Sequence, residues 1–196
     1  MKKIILLLGT VFTFGFVNAQ GKEDMSFGVK GGLNITSITN AEQDGVNSKP
    51  LVGFHVGFFG EFMISDKFSI QPELLYSTQG VKLEVDGDNG DLKLDYINVP
   101  VMAKYYIADA FSLEFGPQVG FLVSSKVKSE GVSMDVKDDT KSIDVSLGFG
   151  VNYNFTEKFM LGARYNIGLT RVQKDLFPGE SESKNSVFLI SVGYKF

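Results

Sequence analysis

The chain has 196 residues, a one-domain length, and contains 22 Gly, 18 Phe, a single His and no Cys or Trp. Without cysteine it is neither a disulfide-stapled secreted domain nor a lipoprotein, which requires an acylated cysteine at its processed N-terminus. A formal charge of −4 with no basic stripe argues against nucleic acid as a partner.

Met1-Lys2-Lys3 opens the chain, followed by an apolar run from Ile4 to Val17 and then Val17-Asn18-Ala19-Gln20. A basic start, an apolar stretch and a small-residue cleavage site predict a secretory signal peptide over residues 1–19, cut after Ala19. The run is too short for a good membrane-spanning helix. Cleavage removes Lys2 and Lys3, moves the formal charge from −4 to −6 and leaves residues 20–196 as a single domain.

Beyond this leader, helical periodicity is absent and apolar and polar residues alternate, the pattern of strands with two unlike faces. Eight segments are predicted: about 26–34, 51–64, 67–78, 92–107, 111–124, 142–155, 158–171 and 186–196. In 143–155 the odd positions from Ile143 to Phe155 are apolar or aromatic, while Asp144, Ser146, Gly148, Gly150, Asn152 and Asn154 form the other face. Segments of this length suit tilted membrane strands, which need roughly 9–11 residues to cross. Ser65-Asp66, Ala108-Asp109 and Thr156-Glu157 lie in short turns, whereas polar stretches near 35–50, 79–91, 125–141 and 172–185 form the other connections. Short turns on one side and long loops on the other are the outer-membrane pattern. The predicted fold is therefore all-β, an eight-stranded antiparallel up-and-down transmembrane barrel.

Alternation alone leaves open whether the apolar face meets lipid or fills the interior. Three features favour lipid. The polar face is rich in glycine (Gly53, Gly57, Gly116, Gly120, Gly148, Gly150, Gly162, Gly168), which makes room in an interior just wide enough for side chains. It also carries mid-strand charges of both signs, Lys30, Glu61, Glu73, Lys104, Glu114 and Arg164, together with His55, which are expected to form a structural polar network in the lumen. Across the turn at 107–110, Lys104 is expected to pair with Glu114, and Arg164 to face Gly148 or Gly150. Third, Phe62, Phe68, Tyr105, Phe111, Phe155, Phe159, Tyr194 and Phe196 gather beside the short turns like an interfacial girdle. Pro72, Pro100 and Pro117 run against this reading, because proline lacks a ladder donor and a closed barrel has no edge; bulges or missing bonds are expected there.

The stretches Ile70-Gln-Pro-Glu-Leu-Leu-Tyr-Ser-Thr-Gln-Gly80, Tyr96-Ile-Asn-Val-Pro-Val-Met-Ala-Lys-Tyr-Tyr106 and Phe115-Gly-Pro-Gln-Val-Gly-Phe121 resemble the small outer-membrane β-barrel domain family, porin-like or PorT-like. The resemblance covers essentially the whole processed chain. It implies a Gram-negative outer membrane and eight strands, and it implies no reaction. The C-terminal strand, alternating from Phe188 to a terminal Phe196, resembles the segment that barrel-assembly machinery recognises.

Little chemistry competes with this. His55 read as a catalytic base would make a lipid-modifying enzyme, but its inward position favours a hydrogen-bonded lumen residue. A single His excludes a multi-histidine zinc site. Asp86-Gly-Asp-Asn-Gly-Asp91 fails the EF-hand spacing, since its fifth position is Gly90 and its sixth Asp91, and it reads as a hairpin tip. Lys126, Lys128, Glu130, Asp135, Lys137, Asp138 and Asp139 mix signs in a solvated loop that can also meet lipopolysaccharide, directly or through divalent cations. The expected protein is thus non-enzymatic, without cofactor or metal, a structural or interaction protein of the outer membrane. Its partners are membrane lipid, lipopolysaccharide and the assembly machinery, and a monomer is favoured. A narrow transport or secretion-support protein and a soluble periplasmic lipocalin-like carrier are the alternatives.

Overall fold

The computed structural model describes residues 25–39, 46–85, 88–129, 132–173 and 183–196. The signal peptide expected over 1–19 lies outside the described residues, as do Asp86 and Gly87 of the acidic hairpin tip and Glu130 of the mixed-charge loop. Among the described residues nine strands follow in chain order: β1 (Met25–Thr39), β2 (Val46–Ser65), β3 (Phe68–Val85), β4 (Asp88–Ala108), β5 (Phe111–Ser129), β6 (Val132–Asp135), β7 (Ile143–Asn154), β8 (Phe159–Arg171) and β9 (Lys184–Lys195). Each pairs antiparallel with its neighbour, β5 skips the short β6 to pair with β7, and β9 returns to β1. This last pairing runs from Gly28↔Lys195 to Thr39↔Lys184 and closes eight strands into a ring. β6 lies outside the ring, as the return arm of a hairpin on β5.

Apolar side chains point outward from the ring. Leu33, Phe54, Val56, Phe58, Phe115, Phe149 and Leu161 are all exposed, while Lys30, Glu73, Lys104, Glu114 and Arg164 are buried. A soluble carrier would have the opposite arrangement. Beside the short turns, Phe155, Phe159, Tyr194 and Phe196 form a chain of rings with successive centroids 5.9, 5.0 and 6.1 Å apart, and Phe27 meets Phe62 edge-on at 6.0 Å.

Pro72, Pro100 and Pro117 interrupt the ladder without shifting it. Pro72 keeps Val101 of β4 as its partner, but its pairing with β2 lapses between Phe59↔Glu73 and Phe62↔Ile70. Pro100 keeps Gln118, and β3–β4 pairing lapses between Pro72↔Val101 and Leu75↔Asn98. Pro117 keeps Leu147, and β4–β5 pairing lapses between Pro100↔Gln118 and Ala103↔Phe115. Each lapse forgoes bonds on one flank only, so one neighbouring strand always holds the register.

The predicted strand ends need correction. β3 and β4 continue through most of the stretch expected to be the 79–91 loop. The 125–141 stretch holds the end of β5, the four residues of β6 and a 3-10 turn at Lys137–Asp139. The physical reason is a change of environment. Within the membrane, outward residues are apolar. Further out, Lys82 and Lys93 face water while Val81 and Leu94 turn inward and pack with Ile38, Tyr96, Leu122 and Val172 in a small dry core. The strands run on while the hydrophobic pattern changes face. β6 buries nothing, so it carries no hydrophobic signal.

Candidate functional site: the buried polar lumen

The lumen is layered along the barrel axis. Nearest the short turns, the Glu61 carboxylate collects its partners from three other strands. Lys104 Nζ lies 2.8 Å from Oε1 and Lys195 Nζ 2.7 Å from Oε2. Ser69 Oγ donates at 2.8 Å, and the Tyr106 hydroxyl donates as well. Lys195 belongs to the last strand, so this cluster ties β9 to β2, β3 and β4.

The middle layer centres on Arg164. Its Nη1 and Nη2 donate to Glu73 at 2.9 and 2.7 Å, and its Nε and Nη2 donate to Glu114 at 2.5 and 3.0 Å. A planar fork suits this double bidentate grip. Lys30 adds a second cation to Glu73 at 3.1 Å, Gln71 donates to Glu73 at 2.6 Å, and Asn152 donates to Glu114 at 2.8 Å. Lys30, Arg164, Glu73 and Glu114 thus balance charge for charge. Lys104 also donates to Gln71 Oε1 at 3.1 Å, joining this layer to the one below. Arg164 stands opposite Gly150. A Cβ on Gly150 would sit 2.4 Å from Ala163 O and 2.9 Å from Glu114 Oε1, so only glycine leaves space there.

Above this, Asn34 Nδ2 donates to Phe54 O, Ser77 Oγ and Thr78 O, each at 3.0 Å. Those three acceptors fix the amide, so Asn34 Oδ1 must accept, and it meets His55 Nδ1 at 2.7 Å. The proton is thereby placed on Nδ1, and Nε2 accepts from Ser191 Oγ at 2.8 Å. Gly32 lies between His55 and Ser191 in the sheet and lets the ring cross β1. The order Asn–His–Ser is that of a nucleophile relay. However, His55 is 1 % and Ser191 4 % exposed, and the hydroxyl has no open approach for a substrate.

All seven expected lumen residues, Lys30, His55, Glu61, Glu73, Lys104, Glu114 and Arg164, lie in the ring's interior. One pairing differs from expectation. Lys104 and Glu114 are cross-strand partners, yet the Lys104 ammonium goes to Glu61. Arg164 already occupies both oxygens of Glu114, whereas the buried Glu61 needs a cation. Sequence reading missed Asn34, Ser69, Gln71, Tyr106, Asn152, Ser191 and Lys195. Most share the in-facing parity of the charged residues, which was the available signal. Among the described residues no group of three or more His, Cys, Asp or Glu is arranged to hold a metal.

A closed antiparallel ring with an apolar exterior and an ion-paired, filled interior defines a transmembrane β-barrel. The chain belongs to the outer membrane protein beta-barrel domain family, whose model matches residues 18–174. Its place is the outer membrane, in contact with membrane lipid. In fold it is similar to Ail, the attachment invasion locus protein of Yersinia pestis, at 16 % identity and TM-score 0.52, covering 88 % of this chain and 99 % of that one. It is likewise similar to neisserial surface protein A, at 16 % identity and TM-score 0.54, covering 90 % and 100 %. A second Ail structure, in complex with the heparin analogue sucrose octasulfate, matches at 18 % identity and TM-score 0.51, covering 88 % and 99 %. Such identities speak to fold alone. No curated protein sequence matches the chain.

Proposed function

We propose that this barrel is a non-conducting, non-enzymatic scaffold that anchors an extracellular β-structured rim in the outer membrane. The observation that carries this reading is the filled lumen. Gln71, Met102, Lys104 and Met160 are each 0 % exposed, whereas a water-filled channel would leave its lining side chains wet. The rim is the part available for interaction, formed by the outer ends of β3, β4 and β5 with β6. Ail, a barrel of similar fold, is known in complex with a sulfated sugar, which supports an interaction role for this class of barrel. Residues 1–19 serve in this reading as the export signal, and the strand ending at Phe196 as the segment engaged during barrel assembly. The barrel acts as a monomer.

Planar lipid bilayers test the reading directly. The purified protein is expected to give no stable conductance steps, at neutral or mildly acidic pH. Reproducible long-lived open levels would overturn it in favour of a transport role.

A further inference from the structure

The ring closes where β1 meets β9, and no turn joins these two strands. Short turns set the register of β2 with β3, β4 with β5 and β7 with β8. At the seam only side chains can choose it, and those on the lipid-facing side do not. Phe27, Val29, Leu33 and Ile35 point outward from β1, and Phe188, Ile190, Val192 and Tyr194 from β9. Sliding β9 by two residues keeps every side chain on its own face and again sets apolar against apolar. The bonds between Thr39 Oγ1 and Lys184 engage the backbone of β9, and the bond from Phe196 to Phe27 is backbone to backbone. Neither depends on which residue of β9 stands there.

The interior does discriminate. Two side chains of β2 reach across β1 to β9. His55 Nε2 accepts from Ser191 Oγ at 2.8 Å, and Glu61 Oε2 meets Lys195 Nζ at 2.7 Å. Between them β1 presents glycine. Gly32 pairs with both His55 and Ser191, and Gly28 pairs with Phe59 and Lys195. A Cβ on Gly32 would stand 1.8 Å from Ile190 O, and one on Gly28 2.3 Å from Tyr194 O and 2.5 Å from Phe59 Cζ, so neither position admits a side chain that would block the reach. A slip of two residues would put Leu189 or Gly193 opposite Gly32, and neither side chain can hydrogen-bond to His55. It would also move Lys195 about 7 Å along the seam, away from Glu61.

We infer that the His55–Ser191 and Glu61–Lys195 contacts form a latch across β1 that fixes the register in which the barrel closes. The half of the latch on β2 is oriented without β9. Asn34 of β1 holds His55 Nδ1, and Lys104 of β4 holds Glu61 Oε1. The β1–β2 hairpin is thus the template on which the last strand docks, and Ser191 and Lys195 are the two residues by which β9 is read.

The absence of native cysteine makes the register readable by cross-linking. Leu33 and Ile190 are outward partners at the seam. L33C/I190C reports the native register, and L33C/F188C and L33C/V192C report slips of two residues in either direction. Direct partners lie within disulfide reach, whereas diagonal neighbours at about 7–8 Å lie beyond it. Each pair is refolded in phospholipid vesicles under reducing conditions and oxidised with copper phenanthroline, and heat-modifiable gel mobility selects closed barrels. With the latch intact, the native pair is expected to cross-link about tenfold or more over either slipped pair, the worth of one neutral and one charge-assisted hydrogen bond. In S191A/K195M, which leaves Asn34 on His55 and Lys104 on Glu61, that preference should fall to about threefold or less. S112A/K67M, the same changes of type away from the seam, should keep it. If S191A/K195M yields no closed barrel, K195M alone is read, with an expected fall of about threefold. An unchanged preference in the latch variants, or an equal fall in S112A/K67M, would overturn the inference and leave packing alone to set the seam.

Discussion

Arg164→Ala is expected to destabilise the barrel by about 3–5 kcal/mol, the cost of removing one partner from a buried ion pair. Arg164 supplies four hydrogen bonds of 2.5–3.0 Å to Glu73 and Glu114, which approach each other around it. Alanine would leave two buried carboxylates with Lys30 as the one remaining cation of the layer. It would also open a cavity where the guanidinium stood. Urea titration of the protein refolded in phospholipid vesicles, followed by heat-modifiable mobility, measures the loss as a lower midpoint. Removing one charge of each sign, in R164M/E114Q, should cost distinctly less, because Lys30 and Glu73 remain as a buried neutral pair. If the alanine variant unfolds within about 1 kcal/mol of wild type, water must reach the layer and the lumen is not filled as described.

The second large effect is expected on the opposite face. Val56→Arg should cost about 2–4 kcal/mol, the penalty for a cation on the lipid-facing surface near the bilayer midplane. Val56 is 53 % exposed, lies between Gly31 and Tyr76 in the sheet, and has no buried neighbourhood to disrupt. On a water-washed surface the same replacement would be nearly neutral. Ser133→Arg in β6 provides that comparison, since its side chain is exposed beyond the membrane band. The same vesicle titration should therefore shift strongly for Val56→Arg and barely for Ser133→Arg. Equal, small shifts would place Val56 in water.

Much of this was legible because one physical contrast, lipid against a polar interior, imprints a period of two on the chain. β7 and β8, at 143–154 and 159–171, lie within a residue of the segments expected from alternation at 142–155 and 158–171. The prolines were legible as trouble in the ladder; that the ladder breaks without losing register was not, since this depends on the strand on the far flank. The outer reaches of β3, β4 and β5 escaped detection because outward positions there turn from apolar to charged. Lys82 and Lys128 read as loop residues although their strands continue. The Asn34–His55–Ser191 chain was beyond the sequence for a different reason. It spans 136 residues between His55 and Ser191 and exists only once β9 closes against β1. The partner of Lys104 was misjudged because nearest-neighbour pairing ignores competition, and Arg164 holds Glu114.

The direction of the apolar face decides the whole account, and the absence of native cysteine makes it measurable with single nitroxide labels. Labels would be placed in vesicle-reconstituted protein at Val145, Leu147, Phe149 and Val151, and at the intervening Ser146 and, on the adjacent strand, its partner Gln118. Power-saturation spectroscopy then reads collisions with oxygen, which dissolves in lipid, and with a nickel chelate, which stays in water. The account predicts high oxygen and low nickel accessibility at the four outward positions, and low accessibility to both at Ser146 and Gln118. Outward positions shielded from both reagents, with Ser146 and Gln118 open to nickel, would contradict it.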